Sequence, residues 1–147
     1  MCDVLAFEID QTTRVIDDHG GFVAWCPYAS RHPFEVELAP RRHAADFAAL
    51  DEPQARALGE LLSRVLRALD VALAGADLNV CLSLAPSTQS FTRGRDGLEQ
   101  LEQYWHWRLE ILPRLLPLGG FELGTDLIIN PTAPEDAAAH LRGLLRR

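Results

Sequence analysis

The stretch YWHWRLEILPRLLPLGGFELGTDLIIN, residues 104–130, decides the fold of this chain. Its first part alternates aromatic or apolar residues with polar ones, which predicts an extended strand. In that strand one face carries Trp105, Trp107 and Leu109, and the other carries His106, Arg108 and Glu110. Three polar side chains in a row suit the wall of a binding site or the water-exposed face of a sheet, and both interpretations stay open. A second strand is predicted beyond Pro113, centred on residues 119–125.

The composition is that of one ordinary globular domain. The 147 residues are 48% hydrophobic and 24% charged, which is enough for a single domain with a sizeable core. The net charge of −7 and the lack of a basic stripe argue against a nucleic-acid partner. All 14 basic residues are arginines, so chemistry that needs a lysine Schiff base is excluded.

Cysteine usage and the first residues of the chain indicate a reducing compartment. Cys2, Cys26 and Cys81 form no Cys-x-x-Cys pair, so neither a disulfide framework nor a zinc knuckle is indicated. We expect them to be small core residues of a cytoplasmic protein. Because no signal-peptide pattern and no run of about 18 apolar residues is present, no membrane association is expected.

Short strands and two longer helices are expected along the chain, which predicts an α+β domain. After an apolar segment at residues 4–9, alternation and turn residues indicate a meander of short antiparallel strands at residues 14–17, 21–26 and 33–40. A further strand is expected at residues 78–84. Helical spacing of leucine and valine predicts a helix over residues 53–75 that lies across the sheet. Thr132 is the expected cap of a closing helix, and residues 87–97 have the composition of a loop.

Two blocks of the sequence are similar to one enzyme family. The first block is FVAWCPYAS at residues 22–30, followed by PFE at 33–35 and PRRH at 40–43. The second is HWRLEILPR at residues 106–114, followed by GFELG at 120–124 and INP at 129–131. Together they resemble the C-terminal half of the galactose-1-phosphate uridylyltransferases, which belong to the histidine-triad superfamily. The resemblance covers essentially the whole chain.

The resemblance implies a fold and a reaction class. The fold is a single α+β histidine-triad-like (HIT-like) domain over residues 1–147, an antiparallel sheet or half-barrel with helices packed across it. The family moves a nucleotidyl group between UDP-hexose and hexose 1-phosphate, using the nucleophilic histidine of a His-Pro-His motif in its N-terminal half. No His-x-His occurs here, so no catalytic residue is assigned, and the chain alone is expected to be degenerate as a catalyst.

Two functions remain open at this point. The chain is part of a nucleotidyltransferase of galactose metabolism, with the catalytic histidine supplied by a separate half or another chain. Alternatively, it is a non-catalytic module for nucleotide-sugar binding or dimerisation. In both cases the expected ligand is a UDP-sugar or a nucleotide.

The resemblance also implies metal ligands, and this sequence departs from them. The positions that match ligands in the family hold Ser83, Arg108 and Glu110. A hydroxyl and a permanent cation stand where imidazoles are expected, and zinc prefers nitrogen or sulfur donors. We therefore predict neither a metal nor another cofactor, and we expect Arg108 to form a salt bridge with Glu110.

Sugar recognition is the remaining feature that the resemblance implies. In the family, the segment after the Pro-Arg pair reaches the hexose across a dimer interface. The residues that match it here are Phe121, Leu123, Gly124, Thr125 and Asp126, which join His106, Arg108 and Glu110 as predicted substrate-binding residues. The alternative is a buried strand with a glycine bulge. Arg41 and Arg42 could contact a phosphate, or they belong to a solvated turn.

A protein partner is also expected. The three tryptophans offer more aromatic surface than one helix can easily cover, and exposed surface of that kind marks interfaces. We therefore predict a homodimer, or pairing with a sister half-domain, through residues 105–110 and 121–126. In the competing arrangement the helices bury the tryptophans.

Overall fold

A computed structural model of the chain describes residues 1–85, 103–115 and 119–146, and the loop expected at residues 87–97 lies outside these ranges. The strands are β1 (Val15–His19), β2 (Phe22–Trp25), β3 (Val36–Pro40), β4 (Leu78–Ser83) and β5 (Arg108–Pro113). The described helices are α1 (Cys2–Gln11), α2 (Glu52–Leu73), α3 (Gly120–Thr125) and α4 (Pro134–Leu145), with a 3-10 helix at Phe47–Ala49. Within the described ranges, no helix is both long and apolar enough to span a bilayer.

The five strands form one antiparallel sheet in the order β1-β2-β3-β5-β4, which confirms the predicted α+β class. β1 and β2 are joined by a two-residue turn at Gly20 and Gly21, whose φ angles of 58° and 87° favour glycine. β5 is an interior strand that pairs with β3 on one side and with the edge strand β4 on the other. The strand that the Trp-His-Trp stretch predicts begins at Arg108, and it joins the edge strand β4 to β1, β2 and β3.

Helix α2 forms where the sequence predicts it, because both of its ends carry strong local signals. The Asp51 side chain accepts from the Gln54 backbone N–H at 2.8 Å, and the Gln54 side chain accepts from the Asp51 N–H at 3.0 Å. The helix ends at Ala74 and Gly75, which adopt left-handed φ angles. Its buried stripe packs against α4, β1 and β2 and consists of Leu58, Leu61, Val65, Ala68 and Leu69.

The opposite face of the sheet carries a second, smaller core beneath α1. Leu5 of this helix packs with Val23, Trp25 and Ala39, all of them buried. The sequence analysis treated residues 4–9 only as an apolar segment before a meander of strands, and the structure corrects this to a helix. The helix was missed because it buries only Leu5 and Glu8, which leaves a weak apolar stripe.

The second strand predicted around residues 119–125 is wrong, because these residues form helix α3. The Glu122 carboxylate accepts from the Gly119 N–H at 3.0 Å, and the Thr125 hydroxyl donates to the Phe121 carbonyl at 2.8 Å. These local bonds satisfy a helical turn that three nearby glycines would otherwise disfavour. The expected cap of α4 is also wrong, since Ala133 rather than Thr132 precedes the helix.

The tryptophans do not supply an exposed aromatic surface, as the interface prediction assumed. Trp25 and Trp107 are 0% exposed, and Trp105 is half-buried. Trp107 packs edge-on against Phe47 at a centroid distance of 5.0 Å, and its ring is tilted by 44° against that of Phe22 at 6.0 Å. These rings therefore belong to the core, as the competing arrangement expected.

The expectation for the cysteines is only partly correct. Cys26 is buried in the principal core, as expected, and burial raises the pKa of its thiol to about 12. Cys2 and Cys81 are exposed and contribute nothing to either core.

A buried ion cluster fastens α1 to the rest of the fold. Arg14 lies next to β1 and donates to the Glu8 carboxylate through Nε at 2.9 Å and through a terminal nitrogen at 2.8 Å. Its other terminal nitrogen donates to Glu135 of α4 at 2.7 Å, and its guanidinium stacks over the Tyr28 ring. The hydrogen bonds to Glu8 raise the pKa of Arg14 above its usual value. One side chain thus joins two helices and a strand.

Replacing Arg14 should therefore destabilise the fold strongly. We expect Arg14→Met to lower the free energy of unfolding by about 3–5 kcal/mol, because Glu8 would remain as an uncompensated buried carboxylate. Urea denaturation followed by circular dichroism measures this loss. The matched control is Arg56→Met, which breaks an exposed pair with Glu52 and should cost less than about 1 kcal/mol. Equal losses of unfolding free energy in the two variants would contradict the structural role of the buried Arg14 ion cluster.

Candidate functional site

His106 is held in the interior just before β5. It is 3% exposed, and its Nε2 lies 2.8 Å from the carbonyl oxygen of Pro40. Because a carbonyl only accepts, Nε2 must carry the proton, and Nδ1 carries the lone pair that can accept a hydrogen bond or ligate a metal. That Nδ1 lies 3.3 Å from the Sγ of Cys2. Burial lowers the pKa of His106, which favours the neutral ring.

Cys2 and His43 complete a cluster around this imidazole. Cys2 is the first residue of α1, and its Sγ lies 3.2 Å from the Nδ1 of His43. His43 follows β3, and its ring meets the His106 ring edge-on at a centroid distance of 5.7 Å. The three donor atoms all lie within 4.8 Å of one another. Elements far apart in sequence therefore bring one sulfur and two imidazole nitrogens together.

This donor set suits a soft divalent cation such as Zn²⁺. Tetrahedral zinc with ordinary bond lengths separates sulfur and nitrogen ligands by about 3.6 Å. The distances from the Cys2 sulfur to the two imidazoles are close to that value. A neutral imidazole whose other nitrogen donates to a carbonyl is a typical zinc ligand, as is the case for His106 and Pro40. The cluster could therefore hold a metal that ties α1 to the sheet.

The metal position that the resemblance implies does not fit a metal. A terminal nitrogen of Arg108 lies 2.7 Å from the Glu110 carboxylate, and its Nε lies 3.2 Å from the Glu37 carboxylate. The expected salt bridge between Arg108 and Glu110 is thus confirmed. A permanent cation here repels a metal ion. The prediction that the chain binds no zinc or iron stays a prediction, and the Cys2 cluster, a different set of donors, is the observation against it.

Arg108 belongs to a larger charge network on the same face of the sheet. Arg31 binds Glu35 at 2.9 Å and approaches Glu110 to 3.5 Å. Burial raises the pKa of Glu37 to about 7, an effect that Arg108 opposes and that the Glu110 and Glu35 charges reinforce. Three carboxylates therefore share two guanidinium groups, and Glu37 is the member that holds a proton near neutral pH.

The predicted sugar-binding residues lie on a different and more open part of the surface. Phe121 and Leu123 are exposed on α3, as are Gly124, Thr125 and Asp126 at its C-terminal end. The segment that follows is anchored by Asn130, whose amide nitrogen donates to the carbonyls of Ser30 and His32 at 3.1 and 3.2 Å. The alternative of a buried strand with a glycine bulge is thereby excluded.

The structure thus divides the predicted site residues into three groups. His106 joins Cys2 and His43, whereas Arg108 and Glu110 join the charge network, and residues 121–126 stand on α3. Sequence analysis missed Cys2 and His43, which lie 104 and 63 positions from His106. No short spacing connects the three residues in sequence. The only signal for the cluster was therefore that the chain contains cysteine and histidine residues at all.

The comparisons with known proteins identify homologues of the chain. No protein-family model matches the chain. The chain is 36% identical over 128 residues to ADP-glucose phosphorylase from Arabidopsis thaliana, covering 87% of this chain and 34% of that protein. It is 26% identical over 148 residues to galactose-1-phosphate uridylyltransferase from Thermotoga maritima, covering 97% of this chain and 43% of that protein. The chain is a homologue of part of these uridylyltransferase-like proteins.

Comparison with solved structures finds the same relatives and the HIT-like fold. The crystal structure of Arabidopsis thaliana ADP-glucose phosphorylase with bound ADP-glucose matches at a TM-score of 0.79 and 33% identity, covering 96% of this chain and 42% of that chain. A zinc-bound histidine triad protein from Mycobacterium smegmatis matches at a TM-score of 0.63 and 17% identity, covering 99% of this chain and 93% of that chain. The HIT-like fold is therefore confirmed.

The chain spans less than half the length of its uridylyltransferase-family relatives, 34% and 43% of the two matched sequences. By contrast, it has about the extent of the single HIT-like protein, of which it covers 93%. The longer relatives therefore contain additional chain, and the single HIT-like domain over residues 1–147 stays a prediction.

Zinc binding can test whether the cluster of Cys2, His43 and His106 is a metal site. We expect Zn²⁺ to bind with one equivalent per chain, and Co²⁺ in its place to show a thiolate charge-transfer band. Cys2→Ser and His43→Asn should each weaken binding by about 10- to 100-fold or more, because a first ligand is lost. Cys81→Ser is the control, since it removes an exposed thiol outside the cluster. Undiminished Co²⁺ absorption in Cys2→Ser would contradict the site.

The Glu37 proton should make the stability of the fold depend on pH. The folded state keeps this proton up to about pH 7, whereas an unfolded chain releases it near 4.5. The free energy of unfolding should therefore fall between about pH 4.5 and 7, by an amount of the order of 1–3 kcal/mol. Glu37→Gln should flatten this slope in urea titrations across that range. Glu52→Gln, an exposed position on α2, should keep the wild-type slope.

Proposed function

We propose that this chain is the non-nucleophilic half of a uridylyltransferase-like nucleotidyltransferase, and that its own role is to bind a nucleotide sugar. The observation that carries the proposal is the state of His106, the histidine of the Trp-His-Trp stretch. One nitrogen donates to Pro40 and the other faces Cys2, in a side chain that is 3% exposed. A nucleophilic imidazole needs an open nitrogen next to phosphorus, and His106 offers none.

The exposed residues of α3 support a role in ligand binding. Phe121 offers a ring for the apolar face of a sugar, while Thr125 and Asp126 offer groups that hydrogen-bond hydroxyls. The relatives are named for ADP-glucose and for galactose 1-phosphate, which favours an NDP-hexose. The binding test below decides whether the base of the nucleotide sugar is adenine or uracil. A uracil base would favour a role in galactose metabolism.

The proposed partner is a sister half that carries the nucleophilic histidine, or a second copy of this chain. β4 is an edge strand whose Val80 and Leu82 are exposed, so its outer side can accept another strand. A further exposed apolar run follows α3 and comprises Leu127, Ile128 and Ile129. The tryptophans no longer support this pairing, but these two surfaces do. A cytoplasmic location belongs to the same proposal.

A purely non-catalytic binding or dimerisation module is the second candidate. It is favoured by the Arg108 side chain, which occupies the metal position that the family resemblance implies. The two candidates differ in what happens when a histidine-bearing half of a family member is added. Only the first predicts that the chain restores nucleotidyl transfer to that half.

The isolated chain should form no covalent adduct with UDP-glucose or ADP-glucose. No His-x-His motif is present, and His106 is engaged at both nitrogens. Intact-mass spectrometry after incubation with each sugar nucleotide measures the outcome. A mass gain of one nucleotidyl group would contradict the proposal, and His106→Gln would then identify the acceptor.

Binding without chemistry should still be measurable. We expect calorimetry to detect ADP-glucose or UDP-glucose, and Asp126→Asn to weaken binding by about 5- to 30-fold through the loss of a charged acceptor. Asparagine tolerates the left-handed φ of 57° at this position, so the backbone should be unaffected. Asp70→Asn on the exposed face of α2 is the control with the same charge change. Equal affinity in the Asp126 and Asp70 variants would reject α3 as the sugar site.

A further inference from the structure

A cavity of about 620 Å³ lies between the β1–β2 turn, the segment after β3 and the start of α2. This volume is within the range of small-molecule sites, about 300–1,000 Å³. Its apolar lining includes Phe22, Pro40 and Leu50, and its cationic lining includes Arg41 and Arg42. Apolar surface next to guanidinium groups suits a ligand that has one apolar part and one anionic part.

The two arginines differ in their partners. Arg41 is ion-paired with Asp18 of β1. Arg42 is exposed and makes no ion pair with any residue that the structure describes. The carboxylate of Asp46, which also lines the cavity, accepts from the Ala48 N–H at 2.8 Å. The fork of parallel N–H donors on Arg42 is therefore available to an anion from solvent, and phosphate matches that fork.

The walls of the cavity are fixed by the fold. The Arg41 N–H donates to the Gly21 carbonyl at 2.8 Å, which ties the segment after β3 to the hairpin turn. Gly20 packs so closely on Ala57 of α2 that any side chain there would collide with it. Gly21 faces open space instead. Such walls lose little conformational freedom when a ligand enters, which favours binding.

We propose that this cavity binds a phosphate monoester that carries a small aromatic or apolar group. The phosphate pairs with Arg42, and the apolar group packs on Phe22 and Pro40. A phosphate monoester carries about −1.5 to −2 charges at pH 7, so it can also compete with Asp18 for Arg41. A carboxylate ligand carries a single charge and competes less strongly. The site shares no residue with α3 and does not depend on the proposed sugar binding.

Calorimetric titration of the full chain with phenyl phosphate at low salt tests the proposal. We expect Arg42→Gln to weaken binding about tenfold or more, because a charge-assisted hydrogen-bond pair is lost. Ala49→Trp, at an exposed lining position, should also weaken it by filling the cavity. Arg56→Gln makes the same charge change at an exposed position that pairs with Glu52, so it should bind like the wild type.

Two further titrations measure the contributions of the phosphate and of the apolar group to binding separately. Inorganic phosphate should bind more weakly than phenyl phosphate because it lacks the apolar group, and benzoate should bind more weakly because it carries one charge. No detectable binding of phenyl phosphate would overturn the proposal, and so would equal losses in Arg42→Gln and Arg56→Gln. Benzoate as strong as phenyl phosphate, or unchanged binding in Ala49→Trp, would also reject it. Circular dichroism confirms that each variant is folded.

Discussion

The buried ion pair between Arg14 and Glu8 is the interaction on which the position of α1 depends. Leu5 alone gives this helix little apolar surface, so the charges fix where it lies. Removing one member of such a pair leaves a buried charge in an apolar environment, which makes the contact hard to break. Because α1 is held in this way, Cys2 at its start reaches His106 beside β5. The ion pair that holds α1 in place therefore also brings Cys2 into the cluster with His43 and His106.

The same sheet face departs from the residue pattern that the family resemblance implies. Arg108 forms a salt bridge with Glu110 and contacts the Glu37 carboxyl group, at a position where the family resemblance implies a metal ligand. His106 is retained, but its hydrogen bond to Pro40 directs the remaining lone pair towards Cys2. A histidine engaged in this way suits metal ligation or structural support.

Local signals in the sequence were sufficient for the elements that stabilise themselves. α2 has its capping box at Asp51, and the Arg108–Glu110 contact needs only strand alternation, so both were predicted correctly. α3 was mistaken for a strand because its helical turn depends on a single side chain, Glu122, bonding back to the chain. The Cys2 cluster could not be predicted, since its members meet only when α1, β3 and β5 are assembled. Long-range geometry of this kind leaves no periodic pattern.

The burial of Cys26 has a practical consequence for labelling chemistry. A thiol with a pKa of about 12 has almost no thiolate at neutral pH, so alkylating dyes cannot modify it in the folded protein. Cys2 and Cys81 remain accessible, and a cation coordinated by Cys2 would mask that thiol. Cys81 on edge strand β4 then becomes a single natural attachment point for a fluorophore or spin label. The wild-type chain thereby carries its own probe for anything that docks along that edge.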